Sequence, residues 1–107
     1  MKYKIRITEK AEYDLRGIYE YIAYNLLSPV NANNLLNRLE SSIMSLDSMP
    51  LRFRLYDKEP WKSRGLRIMS VDNFVIFYIA DKESTTVTII RVMYGGRDIE
   101  KRLSENN

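Results

Sequence analysis

Hydrophobic residues recur along this chain with different periods, and each period predicts a different element. Tyr3, Ile5 and Ile7 alternate with Lys2, Lys4 and Arg6, the two-residue repeat of a short strand with its charged face to solvent. Ala11, Leu15, Ile18, Ile22 and Leu26 then follow at steps of four, three, four and four, on one stripe of an amphipathic helix. Thr8 is the expected N-cap, and Glu9 stands in the first turn, where the helix dipole favours an acid. Gly17 weakens this helix by roughly 1 kcal/mol relative to alanine, which marks it as a candidate for close backbone packing against a neighbour. The pattern breaks from Asn25 to Asn31, with Ser28 as the next N-cap and Pro29 at the first helical position. A second stripe of Ala32, Leu35 or Leu36, Leu39, Ile43 and Leu46 stops before Met49-Pro50.

Three β-type runs fill the second half: Leu66 to Val71, Phe74 to Ala80 and Thr86 to Tyr94. They read as a meander of antiparallel strands. The middle run is apolar at every position, so both of its faces should be covered, as in a central strand. Asp81, Lys82 and Glu83 make a polar turn, and Gly95-Gly96 lets the chain turn sharply. A short helix is expected from Arg97 to Leu103, with Ile99 and Leu103 inward. The loop from Met49 to Ser63 carries Tyr56 and Trp61, which are expected to pin it to the domain rather than to stack on bases. Two helices with a shared apolar stripe need a sheet to cover it. The expected fold is therefore α+β, a helical hairpin packed on an antiparallel sheet, with the first strand added to the meander. Its core should include Ile5, Ile7, Leu15, Ile18, Ile22, Leu35, Leu39, Ile43, Leu46, Val75, Phe77, Ile79, Ile89 and Val92.

At 107 residues the chain suits one domain, residues 1–107, with one modest core. No apolar run approaches the roughly 20 residues of a membrane span, and the first residues lack the apolar centre of a signal peptide. A cytoplasmic protein without a membrane partner is expected. The chain contains no cysteine and no histidine, which removes disulfides, thiolate nucleophiles, most zinc sites and the usual neutral-pH proton shuttle; no metal or cofactor is expected.

Charge changes the picture through its location. The whole chain is +3, yet Arg52, Arg54, Lys58, Lys62, Arg64 and Arg67 face only Asp57 and Glu59, so residues 52–67 are +4 and the remainder −1. A basic patch confined to one loop and strand suits a polyanion or an acidic partner, or is simply a solvated loop. Arg91 is the least expected cation, because simple alternation puts it on a face with Val87, Ile89 and Met93. It should be paired, with Asp98 or Glu100 as candidate partners, or border a functional groove. Arg67 alternates with Leu66 and Ile68, as either an outward strand residue or a site residue. If Arg67 and Arg91 open onto one groove, their joint field would attract phosphate or an acidic segment.

The order Gly65-x-Arg67, then Asn73-Phe74-x-Ile76-x-Tyr78, then Arg91-Val92-x-Tyr94-Gly95-x-Arg97-Asp98 resembles the C-terminal half of the RelE/ParE superfamily, the toxins of type II toxin–antitoxin pairs. The N-terminal half is similar through Ala11, Asp14, Leu15, Ile18, Tyr21, Ile22 and Pro50-x-Arg52. The resemblance implies the RelE/ParE fold and a toxin of the plasmid-stabilisation type, neutralised by a cognate antitoxin. That antitoxin would bury apolar anchors and pair acids with a surface comprising Arg52, Arg54, Lys62, Arg64 and Arg67. Two modes of action follow. A ParE-like toxin binds a target such as DNA gyrase and needs no catalytic residues of its own. A RelE-like toxin is a ribosome-dependent mRNA endonuclease, which must deprotonate a 2′-hydroxyl, stabilise charge at phosphorus and protonate the leaving oxygen. Here Arg67, Arg91 and Arg97 would supply charge, with Lys62 and Arg64 as further cations, and Tyr94 the acid. Against the nuclease, Val75 stands where RelE-like nucleases carry an arginine, and Met93-Tyr94 stands where one nuclease subgroup has histidine and tyrosine. The C-terminal run is closer to the ParE branch.

Overall fold

The computed structural model describes residues 2–96 and 98–104. β1 (Lys4–Ile7) leads into α1 (Glu9–Glu20), and α2 (Pro29–Met44) returns antiparallel to it. β2 (Leu66–Val71), β3 (Phe74–Asp81) and β4 (Thr86–Tyr94) form the meander, and α3 (Ile99–Ser104) closes the chain. The Thr8 side chain accepts from the Ala11 N–H, which caps α1 as its sequence requires. Pro29 opens α2, whereas Ser28 makes no side-chain capping bond.

The sheet runs β1-β4-β3-β2. It is mixed rather than antiparallel throughout, because β1 pairs in parallel with β4, in the register Lys4↔Thr86 to Ile7↔Ile89. The helical hairpin is the reason: it carries the chain across one face of the sheet between β1 and the meander. β3 lies between β2 and β4 and is covered on both faces, as its unbroken apolar run demands. On one face Ile76 and Tyr78 join Leu15, Leu35, Leu39, Ile43, Leu46, Ile89 and Val92 under the helices. On the other, Phe77 packs with Tyr56, Trp61, Leu66, Met93 and Leu103, so α3 and the long loop build a second core. Tyr56 and Trp61 thus pin the loop, and Leu103 is fully buried. Ile5, Ile7, Ile18, Ile22, Val75 and Ile79 are only partly buried and rim these cores.

Three features differ from what periodicity predicts. The regular helix stops at Glu20 and continues as a π-helical turn, Tyr21–Asn25, in which the Leu26 N–H donates to the Tyr21 carbonyl at 3.1 Å. The extra residue in that turn shifts the phase of the stripe, and Leu26 is 55% exposed. Gly17 has no close neighbour: a Cβ built there would meet no atom within 4 Å. The third difference is in β4. Arg91 pairs with Phe77 while Ile89 pairs with Tyr78, leaving Ile90 as the extra residue of a β-bulge. Side-chain parity inverts at that point, so Val87, Ile89 and Val92 belong to the helix-side core, Ile90 and Met93 to the other, and Arg91 does not share a face with Val87 and Ile89.

Candidate functional site

Arg91 is buried, 6% exposed, and its partner is neither Asp98 nor Glu100 but Asp14 of α1. β1 ends where Ile7 pairs with Ile89, so the edge of β4 beyond that point has no strand beside it. Asp14 fills the gap. Its Oδ2 accepts from Arg91 Nε at 2.7 Å and from the Val92 N–H at 3.0 Å, and its Oδ1 accepts from Nη2 at 3.0 Å. Arg91 Nη1 donates to the Arg102 carbonyl in α3 at 2.9 Å. One guanidinium therefore joins α1, β4 and α3 in a bidentate, desolvated arrangement. Glu100 pairs instead with Lys58, Nζ to Oε1 3.0 Å, an exposed contact that holds the Lys58 ammonium above its ordinary pKa.

Arg67 has a comparable role on the opposite side of the sheet. It stands across from Tyr78, on the helix-side face, whereas Arg91 stands across from Phe77. The two arginines therefore open onto opposite faces and do not share a groove. Arg67 Nη1 donates to the Phe53 carbonyl at 2.6 Å and to the Leu51 carbonyl at 3.3 Å, and the Tyr78 hydroxyl donates to the Pro50 carbonyl at 2.6 Å. Together they strap residues 50–53 against the sheet. Burial pushes the Tyr78 phenol up from its ordinary pKa, with the nearby Arg67 and Arg52 charges acting in the other direction.

Beyond that strap the chain runs along the outer edge of β2. The Tyr56 N–H donates to the Leu66 carbonyl at 2.8 Å, the Ile68 N–H donates to the Arg54 carbonyl at 3.1 Å, and Leu55 bridges to Arg67. Arg54, Lys62 and Arg64 are exposed along this segment and its following turn. Arg64 lies over the Trp61 ring at 4.9 Å, so Trp61 serves the second core while steadying a surface cation. Arg52 instead caps the preceding helical turns: Nη1 donates to the Ser48 and Met49 carbonyls and Nη2 to Ser45 Oγ. Of the five residues expected to bind an acidic partner, Arg54, Lys62 and Arg64 are presented outward, while Arg52 and Arg67 are also engaged with backbone carbonyls.

Tyr94 is 49% exposed at the end of β4, and its ring meets Phe74 edge-on at 5.7 Å. Arg97, a candidate of the nuclease reading, lies outside the described residues. Arg67, Arg91 and Tyr94 thus do not converge: one straps a loop, one is buried against Asp14, and one sits at a strand end. Asp14 is the residue that sequence reasoning missed as Arg91's partner. Its position three residues after Ala11 and four before Ile18 puts a carboxylate on the apolar stripe of α1, which is a legible sign of a buried acid in need of a cation. Among the described residues no group of three acidic, histidine or cysteine side chains is placed to hold a metal ion, and no helix is long and apolar enough to cross a membrane.

Comparison with solved structures finds the same fold in toxins of toxin–antitoxin pairs. The chromosomal ParDE system of P. aeruginosa is similar with a TM-score of 0.70 at 19% identity, over 87% of this chain and 96% of that one. A mutant of the E. coli toxin RelE in the free state is similar at 0.67 and 13% identity, over 99% and 94%. The RelBE2 toxin–antitoxin complex of M. tuberculosis gives 0.60 at 23% identity, over 88% and 99%. No curated protein sequence matches the chain. The family model described as the ParE toxin of the type II toxin–antitoxin system parDE matches residues 5–99. That match spans β1 through the start of α3, taking in Asp14, Arg67 and Arg91, and this chain belongs to the ParE toxin family.

Proposed function

We propose that this type II toxin arrests growth by binding DNA gyrase in the cytoplasm, without cleaving a substrate, and that a cognate antitoxin silences it. The observation that carries the reading is the commitment of two of the arginines that ribonuclease chemistry would call on. Arg91 is held by Asp14 and the Arg102 carbonyl, and Arg67 by the Leu51 and Phe53 carbonyls. A guanidinium whose N–H groups already have partners in the resting fold must break those bonds to reach a phosphate, and each such bond to a charged group is worth about 1.5 to 3 kcal/mol. A binding toxin needs no such rearrangement. It needs a rigid surface of distinctive charge, and Arg54, Lys62 and Arg64 along the covered edge of β2 supply one.

The deciding experiment measures two activities of the purified chain side by side. Inhibition of gyrase supercoiling, with full-length message surviving in a translating extract, is the expected result. Codon-specific loss of message with normal supercoiling would replace this reading with that of a ribosome-dependent endonuclease.

A further inference from the structure

The connection between α1 and α2 carries apolar surface that the fold itself does not use. The π-helical turn Tyr21–Asn25 packs chiefly on the two helices it joins, which leaves its outer side uncovered. At this end of the hairpin Tyr24, Leu27 and Val30 are 66%, 83% and 70% exposed. They stand outside the cleft between α1 and the ends of β3 and β4, whose helix side is lined by Ile18, Ile22 and Leu26. Charge is absent as well: no acidic or basic residue occurs between Glu20 and Arg38, where an average composition of 29% charged would place about five. Large apolar side chains grouped on an uncharged surface mark an interaction site.

Leu27 is an independent sign. Its φ is +52°, and the Ser28 N–H reaches back to the Ile22 carbonyl at 3.1 Å, so Leu27 holds the left-handed position that closes the helix. That position favours glycine or asparagine, because a Cβ there crowds the following carbonyl. A leucine that accepts this strain and still points into solvent adds little to the fold that glycine would not. Its side chain is presented to something outside the chain.

We propose that the tip of the helical hairpin is a self-association face, on which a second copy of this chain docks about a two-fold axis. Charge argues for this occupant. A two-fold interface lays one patch against itself, so a charge near the axis meets its own copy and is repelled; an uncharged patch is free of that cost. Asn25, Asn31 and Asn34 are exposed beside the apolar anchors, and a side-chain amide both donates and accepts, so it can pair with its own copy. The Tyr24 ring already meets Tyr19 edge-on at 6.5 Å, which lowers the cost of ordering it on association. A polyanion or an acidic partner would be drawn instead to the β2 edge, where Arg54, Lys62 and Arg64 are exposed. A face of this size belongs with the smaller, transient interfaces, so the pairing is reversible and depends on concentration.

The test is sedimentation equilibrium of the purified whole chain, with thermal melting alongside. The parent is expected to pass from a 12.7 kDa monomer to a dimer with a dissociation constant of about 10 to 100 μM. Leu27→Gly should weaken that association on the order of tenfold or more while melting at or above the temperature of the parent, since the left-handed position suits glycine. Val30→Glu and Val30→Lys should each stay monomeric alone, whereas an equimolar mixture of the two should associate, because their opposite charges face one another only when the tip meets a second copy. A parent that stays monomeric at about 1 mM overturns the inference. So does dimerisation of Leu27→Gly and of both Val30 variants within about threefold of the parent. A mixture of the Val30 variants that fails to associate sinks the two-fold pairing. A monomeric parent that instead sediments with neutral phosphatidylcholine vesicles would overturn it in favour of a membrane surface.

Discussion

Asp14 and Arg91 lie 77 positions apart in the sequence and meet at 2.7 Å in the fold, in a contact that also satisfies the Val92 N–H and fixes α3 through the Arg102 carbonyl. Both side chains are almost fully desolvated. Such a pair need not stabilise more than apolar residues of the same shape would, yet removing one member strands the other. Arg91→Ala is therefore expected to lose about 3 to 5 kcal/mol of stability, measured by chemical denaturation, with growth arrest falling only in proportion to the folded fraction. Arg91→Lys should also be destabilising, because an ammonium cannot reproduce the two-pronged contact. Growth arrest abolished by Arg91→Ala at unchanged stability would instead place Arg91 in the working site.

Tyr78 gives a pH-dependent test. Burial holds its phenol above the ordinary value of 10.0, so the folded chain keeps that proton more tightly than the unfolded one. The corresponding stability is complete below pH 10.0 and is lost as pH rises towards and through the folded value. Tyr56, raised chiefly by burial and then by the nearby Glu100 carboxylate, adds to the same alkaline slope. Tyr78→Phe should flatten that slope in denaturation curves taken at successive alkaline pH values. At neutral pH it should cost about 1 to 3 kcal/mol, because the Pro50 carbonyl loses its donor.

The strap formed by Arg67 makes a different prediction for local motion. Arg67→Ala removes the donor to the Leu51 and Phe53 carbonyls while leaving β2 paired with β3. Amide exchange should accelerate in residues 50–56 and stay slow in β3 and β4. A uniform acceleration across the sheet would show that the arginine supports the whole fold and not the loop alone.

Leu103 tests the second core. It is fully buried beside Tyr56, Trp61 and Phe77, and α3 is too short to hold a helix without that packing. Leu103→Ala should cost about 2 to 5 kcal/mol. Trp61 is the sole tryptophan of the chain, so its fluorescence should shift to the red as α3 loosens.

The exposed cations call for the opposite pattern. Arg54→Glu combined with Lys62→Glu reverses charge on the β2 edge away from either core, so stability should stay within about 0.5 kcal/mol of the parent for each substitution. Binding to gyrase or to the antitoxin should weaken, and the remaining affinity should depend less on salt. Unchanged binding at every salt concentration would show that this edge is only solvated surface.

Local periodicity determined most of the elements, because burial of one face is written into the spacing of apolar residues within a single helix or strand. The Thr8 cap, both helices, the meander and the fully covered β3 follow from contacts only a few residues apart, or from the apolar runs themselves. The basic character of residues 52–67 was equally legible, since charge needs no fold to be counted. Tertiary structure alone decided what depends on one inserted residue or on distant partners. The π-helical turn at Tyr21–Asn25 moved Leu26 outward, because an extra residue rotates the helical stripe beyond it by about 100°, and the bulge at Ile90 turned Arg91 off the Val87 and Ile89 face, because in a strand it inverts every side-chain direction beyond it. The parallel pairing of β1 with β4 likewise carries no local signature. Neither does the choice of Asp14 over Asp98 and Glu100. Ion pairing is set by which charges the fold desolvates together, and that is settled only when α1 comes to rest along the open edge of β4.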